Sequence, residues 1–160
     1  LLSDKISDVL LSGGGEFAHG LTYSGHPASC AAGLATLDIL TETQIIENGL
    51  RDLAPYFSAR LSELKDHSIV GQVRVKGLFA AVELVRDKSS RERLAPESAA
   101  AVYCRDVSIT RGLMVRQTGD AMIIAPPFVT ERNEIDFLVE QLAVALDYTA
   151  DHFGVTKNSA

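Results

Sequence analysis

The stretch GLTYSGHPASCAAGLATLDIL, residues Gly20 to Leu40, joins a run of turn-forming residues to a helical pattern of small and apolar residues. Pro27 is favourable in the first turn of a helix, because the N–H that proline lacks has no partner there in any case. The pattern predicts a helix from Pro27 to about Thr41, and the small residues of its first half indicate close packing against a sheet. The stretch therefore places a loop at the beginning of a closely packed helix.

The loop before this helix offers groups that can bind a phosphate. Thr22 and Ser24 supply hydroxyls, and the free N–H groups and the dipole at a helix N-terminus favour an anion. The region is also rich in glycine, at positions 13, 14, 15, 20 and 25. It matches neither the P-loop pattern nor the GxGxxG pattern, and most loops of this kind are only turns. Composition alone therefore favours a turn over a phosphate site.

Composition and charge exclude several classes of protein. The 160 residues are 46% hydrophobic and 22% charged, which is typical of a globular protein. The net charge of −6, the pI near 5.1 and the scattered basic residues argue against nucleic acid as a partner. No apolar run reaches the roughly 20 residues of a membrane span, and no signal peptide is recognisable. Cys30 and Cys104 lie far apart and outside any CxxC motif, so we expect a cytoplasmic protein.

A change of hydrophobic period divides the chain into a helix-rich part and a mixed part. Apolar residues at steps of three and four predict a long helix over about 43–65, in which Pro55 indicates a kink or a break. Period-two alternation then predicts two strands around Gly77, and a hairpin is expected with its turn at 118–120. A helix over about 96–110 lies between the two strands around Gly77 and this hairpin. We expect about three or four strands with helices on one face.

Both ends of the chain carry further signals. The apolar pair Leu1-Leu2 is typical of a strand end, which indicates a fragment of a longer protein. A short helix follows, capped by Ser3 or Asp4, and Thr130 is expected to cap the last helix. The apolar stripe of that last helix consists of Ile135, Leu138, Val139, Leu142, Ala145 and Leu146.

The histidines do not form a metal site by their spacing. Glu16 and His19 are an isolated pair, and neither a second pair nor a cysteine cluster accompanies them. We therefore expect no metal. His26, directly before Pro27, is interpreted as a helix cap or a satisfied core imidazole rather than as a catalytic base.

Two charged residues in apolar strands require partners. Arg116 lies beside an apolar run near Gly119, and a guanidinium in such a place must meet an anion or reach water. The residues alone favour a salt bridge to a protein carboxylate. Glu83, in the apolar strand AAVELV, is ambiguous in the same way, and we favour a structural role for it.

Four blocks of the sequence resemble the class III aminotransferases. They are FAHGLTYSGHPASCAAGLATLDIL, VKGLFAAVELV, RGLMVRQTGDAMIIAPPFV and TERNEIDFLVEQLAVALDYT, and they cover essentially the whole chain in the family's order. Members of this family are pyridoxal-phosphate enzymes of fold type I and include ω-amino acid:pyruvate transaminases. The resemblance implies an α/β fold in which residues 1–42 end the large domain, 43–66 form an interdomain helix and 67–160 form the small α+β domain.

The resemblance implies a cofactor-binding role for the TYSGHP block. In the family this block reaches across a homodimer. The residues that match Thr22 and the Leu21 backbone bind the phosphate of pyridoxal 5'-phosphate in the neighbouring subunit. Hydroxyl and N–H donors before a helix suit a dianion, so the chemistry of the loop agrees with this role. The small-residue helix then packs within the large domain.

For Arg116 the resemblance reverses the interpretation from the residues alone. In pyruvate-using members the Arg of the LMVR block binds a substrate carboxylate and swings aside for side chains that have none. A guanidinium fork suits a planar carboxylate. Members that use glutamate tend to carry an Arg nearer the APP segment, where this chain has Ile123 and Ile124. The resemblance therefore implies an amine or ω-amino acid as donor and a keto acid, with pyruvate favoured, as acceptor.

The lysine that forms the Schiff base in this family has no match here. Its spacing in the family places it before Leu1, so the chain supplies no catalytic residue and is expected to be inactive alone. The lysines present are Lys5, Lys65, Lys76, Lys88 and Lys157. Two alternatives stay open: an aminomutase or decarboxylase of the same fold, and a non-catalytic homologue with a binding or regulatory role. The LMVR context argues against the aminomutase, which needs no alternating carboxylate clamp.

Overall fold

The computed structural model describes residues 3–13 and 18–155. The predicted strand end at Leu1-Leu2 and part of the glycine-rich loop, at 14–17, lie outside the described residues. The chain divides into two compact units, with the boundary between Glu42 and Thr43.

The described residues of the first unit, Leu1–Glu42, form two helices. α1 (Asp4–Ser12) follows Ser3, whose extended backbone (φ −74°, ψ 154°) makes it the N-cap, as predicted. α2 (Pro27–Thr43) begins at the proline, which also confirms the prediction. No side chain of α2 is buried, so the close packing that its small residues predict is not made within this unit.

The second unit, Thr43–Ala160, opens with an interrupted helix where one long helix was expected. α3 (Ile45–Asn48) leads into a π-helical turn at Gly49–Leu53, and α4 (Ala54–Ser62) follows. Pro55 lies in the first turn of α4 and cannot donate to the carbonyl of the preceding turn. The backbone stays helical through these junctions, so the irregularity that Pro55 predicts is a π-helical turn just before the proline rather than a break.

An antiparallel sheet forms the centre of the second unit. A 3-10 turn at Glu63–Asp66 leads into it. Its strands are β1 (Val70–Lys76), β2 (Phe79–Asp87), β3 (Glu92–Arg93), β4 (Arg116–Thr118) and β5 (Ala121–Ile124). The order of neighbours is β1-β2-β5-β4, and the short β3 pairs with the end of β2. Both predicted hairpin turns are present, with Gly77 and Gly119 at φ values of 60° and 55° that glycine adopts without strain.

Helices cover one face of this sheet. α5 (Ala99–Thr110), entered through a 3-10 turn at Pro96–Ser98, and α6 (Arg132–His152) pack together with α4 on this side. α6 buries the whole predicted apolar stripe: Ile135, Leu138, Val139, Leu142, Ala145 and Leu146. The sheet adds Val82, Leu84, Met122 and Ile124. Each large apolar side chain removed from water stabilises the fold by about 1.5–3 kcal/mol.

The cap of the last helix differs from the expectation. Glu131, not Thr130, is the N-cap, and it forms a capping box with Glu134. The Glu134 side chain accepts the Glu131 N–H at 2.8 Å. Thr130 is one residue too early, because its N–H donates to the carbonyl of Pro127 in the preceding turn.

The other face of the sheet, here called the open face, carries exposed and charged residues. Cross-strand pairing aligns Arg74, Ala81, Ile123 and Arg116 in one row, and directly opposed residues point to the same face. Phe79, two residues before Ala81 on β2, points to this face as well. The guanidinium of Arg116 is therefore presented on the side of the sheet that the helices leave uncovered.

A cluster of polar side chains forms hydrogen bonds between α4 and α6. The Tyr56 hydroxyl donates to Asp136 at 2.5 Å, and Arg60 Nε donates to the same carboxylate oxygen at 2.7 Å. Arg132 lies 5.0 Å from the centre of the Tyr56 ring. The hydrogen bond from Tyr56, and then that from Arg60, lower the pKa of Asp136. Folding lowers the pKa of this carboxyl, so its charged form stabilises the fold at any pH above the pKa of the unfolded chain. That stabilisation is lost as the pH falls through the pKa of the folded protein.

Replacing Asp136 by Asn should therefore destabilise the protein in a pH-dependent way. We expect a lower thermal midpoint than wild type at neutral pH, and a difference that shrinks as the pH drops below about 4, where Asp ordinarily protonates. Thermal unfolding followed across this pH range measures the difference in thermal midpoint between wild type and variant. Asp106→Asn is the control, since among the described residues Asp106 is bound only by its neighbour Arg105 on the same helix. A difference for Asp136→Asn that stays constant with pH would contradict the role of the carboxylate charge.

Candidate functional site

The loop before α2 is closed by reciprocal bonds between Leu21 and Ser24. The Leu21 N–H donates to the Ser24 hydroxyl at 3.0 Å, and the Ser24 N–H donates to the Leu21 carbonyl at 2.9 Å. Gly25 has a φ of 74°, which allows the chain to turn into the helix. The loop is therefore a compact turn whose tip is Thr22 and Tyr23.

His26 caps α2, as the sequence predicts. Its carbonyl accepts the Cys30 N–H at 3.0 Å, and its Nδ1 accepts the Ser29 N–H at 3.4 Å. The ring also meets Tyr23 edge to face, with 5.4 Å between the centroids. Through these contacts His26 caps the N-terminus of α2.

Thr22, at the tip of the turn, keeps its donors available. Within the described part of the chain, neither its hydroxyl nor its backbone N–H makes a hydrogen bond, and the residue is exposed. Leu21 already uses its N–H on the Ser24 hydroxyl, so an anion would have to displace that hydroxyl to reach it. A free hydroxyl and a free N–H on one residue form a donor set that suits a phosphate dianion.

Arg116 keeps its guanidinium available in the second unit. Its strand β4 pairs with β5, which places Arg116 opposite Ile123. No carboxylate among the described residues pairs with it. Two acids of this region, Glu83 of β2 and Asp120 of the β4–β5 turn, are bound by Arg91 and Arg93, each at 2.7 Å.

The ion pairs around Arg116 bear on the sequence interpretations of Arg116 and Glu83. The salt bridge to protein that the residues alone favour for Arg116 is not formed within the described chain. The structural role favoured for Glu83 is confirmed by its ion pair with Arg91. An exposed guanidinium that no protein carboxylate neutralises remains able to bind a planar anion in bidentate form.

The surroundings of Arg116 are apolar and were not predicted from the sequence. Arg116 lines an open cleft of about 840 Å³ together with Phe79, Met114 and Ile123. Phe79 is 57% exposed and Met114 is 88% exposed. In the sequence, Phe79 and Met114 stand out only as members of apolar runs. The sequence of β2 offers no signal for the exposure of Phe79, because Ala80, Ala81 and Val82 are all apolar and all buried.

The described residues show neither a metal cluster nor a membrane-spanning helix. In the described ranges, no group of three or more His, Cys, Asp or Glu side chains is placed to hold a metal ion. No described helix has both the length and the apolar character that crossing a membrane requires.

Comparison with known proteins decides the family. The model of the family described as aminotransferase class-III matches residues 1–146. The chain belongs to the class III aminotransferases. A putrescine–pyruvate aminotransferase of Pseudomonas aeruginosa is 43% identical over 150 residues, which are 94% of this chain and 32% of that protein. The chain thus spans about a third of the length of this relative.

Solved structures of class III aminotransferases share the fold. A thermostable (S)-enantioselective ω-transaminase of Thermomicrobium roseum is 40% identical, with a TM-score of 0.78 over 92% of this chain and 33% of that chain. The ω-transaminase of Pseudomonas jessenii in complex with PMP is 32% identical, with a TM-score of 0.80 over 95% of this chain and 33% of that one. The expected fold, that of pyridoxal-phosphate-dependent transferases, is confirmed.

The cofactor that the resemblance implies is also the cofactor of the family. Class III aminotransferases depend on pyridoxal 5'-phosphate. The unbonded hydroxyl and N–H of Thr22 fit its phosphate group, whereas Leu21 fits it only after releasing Ser24. Leu21 and Thr22 lie in the first unit of this aminotransferase chain, and Arg116 lies in the second.

Proposed function

We propose that this chain is the C-terminal part of an enzyme that moves an amino group from an amine or ω-amino acid to a keto acid, with pyruvate as the favoured acceptor. The observation that carries the proposal is the exposed guanidinium of Arg116, which no described carboxylate neutralises. The putrescine–pyruvate aminotransferase among the relatives supports pyruvate. In this proposal residues 1–42 end the large domain, 43–66 link the domains and 67–160 form the small domain.

Thr22 is assigned to the phosphate of the cofactor. Its hydroxyl and N–H donate to the dianion, and the Leu21 N–H joins them when the Ser24 hydroxyl gives way. The bound cofactor supplies the electron sink that amino-group transfer requires. The protein holds it by its phosphate, so that the reactive end keeps a fixed orientation. The catalytic lysine belongs to a part of the enzyme outside this chain.

Arg116 is assigned to the substrate carboxylate. A bidentate pair between the guanidinium and the carboxylate fixes the orientation of a keto acid or an α-amino acid. When the amine carries no carboxylate, the long side chain of Arg116 turns toward solvent and leaves the cleft to the substrate. Both donor classes can thus use one site.

The assembly and the cellular location form part of the same proposal. The family's TYSGHP block supports a homodimer in which Thr22 reaches the neighbouring subunit's cofactor. The cysteine pattern, the acidic charge and the scattered basic residues support a cytoplasmic protein whose partners are small molecules rather than nucleic acid or membrane.

A trapping experiment tests whether the catalytic lysine lies elsewhere. Reduction of the full-length protein with borohydride in the presence of pyridoxal phosphate should attach the cofactor to one lysine, and peptide mass spectrometry should place that lysine outside this chain. The 160-residue chain treated alone should show no specific adduct. A specific adduct at Lys5 or another lysine of this chain would overturn the assignment. No adduct in the full-length protein would favour the non-catalytic homologue.

A further inference from the structure

We infer that a groove between the start of α5 and the end of α6 binds a small organic ammonium ion. The groove has a volume of about 700 Å³, and the rings of Tyr103, His152 and Phe153 line it together with the carboxylate of Glu97. It is formed by the helices that cover one face of the sheet, whereas Arg116 lies on the open face. The site therefore goes beyond the proposed function.

The three rings contact one another and form two nearly perpendicular aromatic surfaces. The rings of Tyr103 and His152 are stacked, with 4.1 Å between their centroids and 13° between their planes. Phe153 meets both of them edge to face, with centroid distances of 6.0 Å to Tyr103 and 4.8 Å to His152. The face of an aromatic ring attracts a cation, and a group of such rings is a common site for a quaternary ammonium ion.

The charge of the groove complements an ammonium ion. Glu97 and Asp106 line it, and among the described residues no lysine or arginine does so. Asp106 is bound by its neighbour Arg105 at 2.6 Å, whereas Glu97 forms no ion pair within the described chain. The helix α6 ends at His152, and the C-terminal end of a helix carries a partial negative charge that favours a cation.

The backbone before α5 is strained at the residue that supplies the free acid. Glu97 and Ser98 are consecutive non-glycine residues with φ values of 51° and 61°, in the left-handed region. Arg93 donates to the Ser98 hydroxyl at 3.4 Å. Such conformations cost free energy, and they cluster where a ligand is held. The strained turn places Glu97 in the same groove as the aromatic rings.

The combination of aromatic rings with an acid determines the class of ligand. A neutral apolar molecule would use the rings but gain nothing from Glu97, and an anion would be repelled by this carboxylate. A substituted ammonium ion uses both, because its hydrocarbon groups contact the rings while its charge is attracted by the acid. An inorganic cation is not favoured, since the described residues contain no cluster of metal ligands.

Binding of choline to the full-length protein tests the inference, because choline has no N–H bond and cannot donate an amino group. Saturation-transfer NMR follows its methyl protons during a titration. We expect saturable binding with a Kd of roughly millimolar magnitude. The neutral analogue of the same shape, 3,3-dimethyl-1-butanol, should bind roughly tenfold more weakly or less tightly still, because it lacks the charge.

Two variants separate the contributions of the rings and of the acid. Tyr103→Leu keeps an apolar side chain but removes the ring, and it should weaken choline binding about fivefold or more. Glu97→Gln removes the charge and should weaken it about two- to fivefold. Tyr148→Leu and Glu140→Gln are the matched controls on α6, since both residues are exposed and neither lines the groove. Both controls should leave the affinity unchanged.

Three results would overturn the inference. They are the absence of saturable binding, equal binding of choline and its neutral analogue, and choline binding that neither Tyr103→Leu nor Glu97→Gln weakens. If Tyr103→Leu does not fold, Glu97→Gln decides alone, because this side chain is exposed and an unchanged affinity would then overturn the inference. Amino-group transfer measured on the same preparation tests the proposed function separately, since choline binding does not depend on it.

Discussion

Replacing Arg116 by Ala in the full-length enzyme is expected to lower kcat/KM for alanine and pyruvate by roughly 30- to 1000-fold. The physical reason is the loss of a bidentate, charge-assisted pair that orients the carboxylate for reaction. The guanidinium is free to make this pair, because Glu83 and Asp120 are already bound by other arginines. The half-reactions with L-alanine and with α-methylbenzylamine should be measured separately on the same protein.

The donor without a carboxylate provides the internal control for Arg116→Ala. α-Methylbenzylamine should lose little, since for this donor the guanidinium only turns aside. Arg116→Lys keeps the charge but not the planar fork, so it should recover the alanine reaction only in part. Arg51→Ala removes an exposed arginine that pairs with Asp52 and does not line the cleft, and it should leave both reactions near wild type. Equal losses for the two donors in Arg116→Ala would mean that Arg116 only maintains the fold.

Replacing Thr22 by Ala should weaken the binding of pyridoxal phosphate by roughly tenfold or more. The hydroxyl donates to a charged acceptor, and the described chain offers it no competing partner. Titration of the apoenzyme with the cofactor, followed by fluorescence, measures the affinity directly. The effect on the catalytic rate should be small once the cofactor is saturating.

Two variants serve as controls for Thr22→Ala. One keeps a hydroxyl at position 22, and the other removes an exposed threonine elsewhere in the same unit. Thr22→Ser keeps a hydroxyl and should retain most of the affinity. Thr36→Ala removes an exposed threonine of the same unit whose hydroxyl is already donated to the Ala32 carbonyl at 2.8 Å, and should leave the affinity unchanged. If Thr22→Ala bound the cofactor as tightly as wild type, the phosphate role of this residue would have to be abandoned.

Local sequence patterns predicted most of the second unit. The two hairpin turns depend on Gly77 and Gly119, which adopt positive φ, and the stripe on α6 follows from helical periodicity alone. The cap of α6 was misplaced by one residue, because Thr130 and Glu131 both have capping side chains and only the following Glu134 completes the box with Glu131.

The character of the Arg116 site could not be read from the residues alone. The β2 strand is apolar on both faces, so its alternation does not reveal which face the helices cover. Arg116 has no carboxylate partner among the described residues, because two carboxylates of its region form ion pairs with other arginines. Glu83 is bound by Arg91 in the turn after β2, Asp120 is bound by Arg93 of β3, and no local pattern predicts those pairs. Family resemblance supplied the role that spacing and propensity could not.

The central claim is that the chain is part of an enzyme that transfers an amino group between a donor and pyruvate, and one single-turnover measurement tests it most directly. The full-length enzyme, saturated with pyridoxal phosphate and given L-alanine without any acceptor, should release pyruvate in an amount equal to its active sites and then stop. Addition of fresh pyruvate should return the amino group as alanine. Release of carbon dioxide, formation of a rearranged amino acid or the absence of any pyruvate would contradict the account.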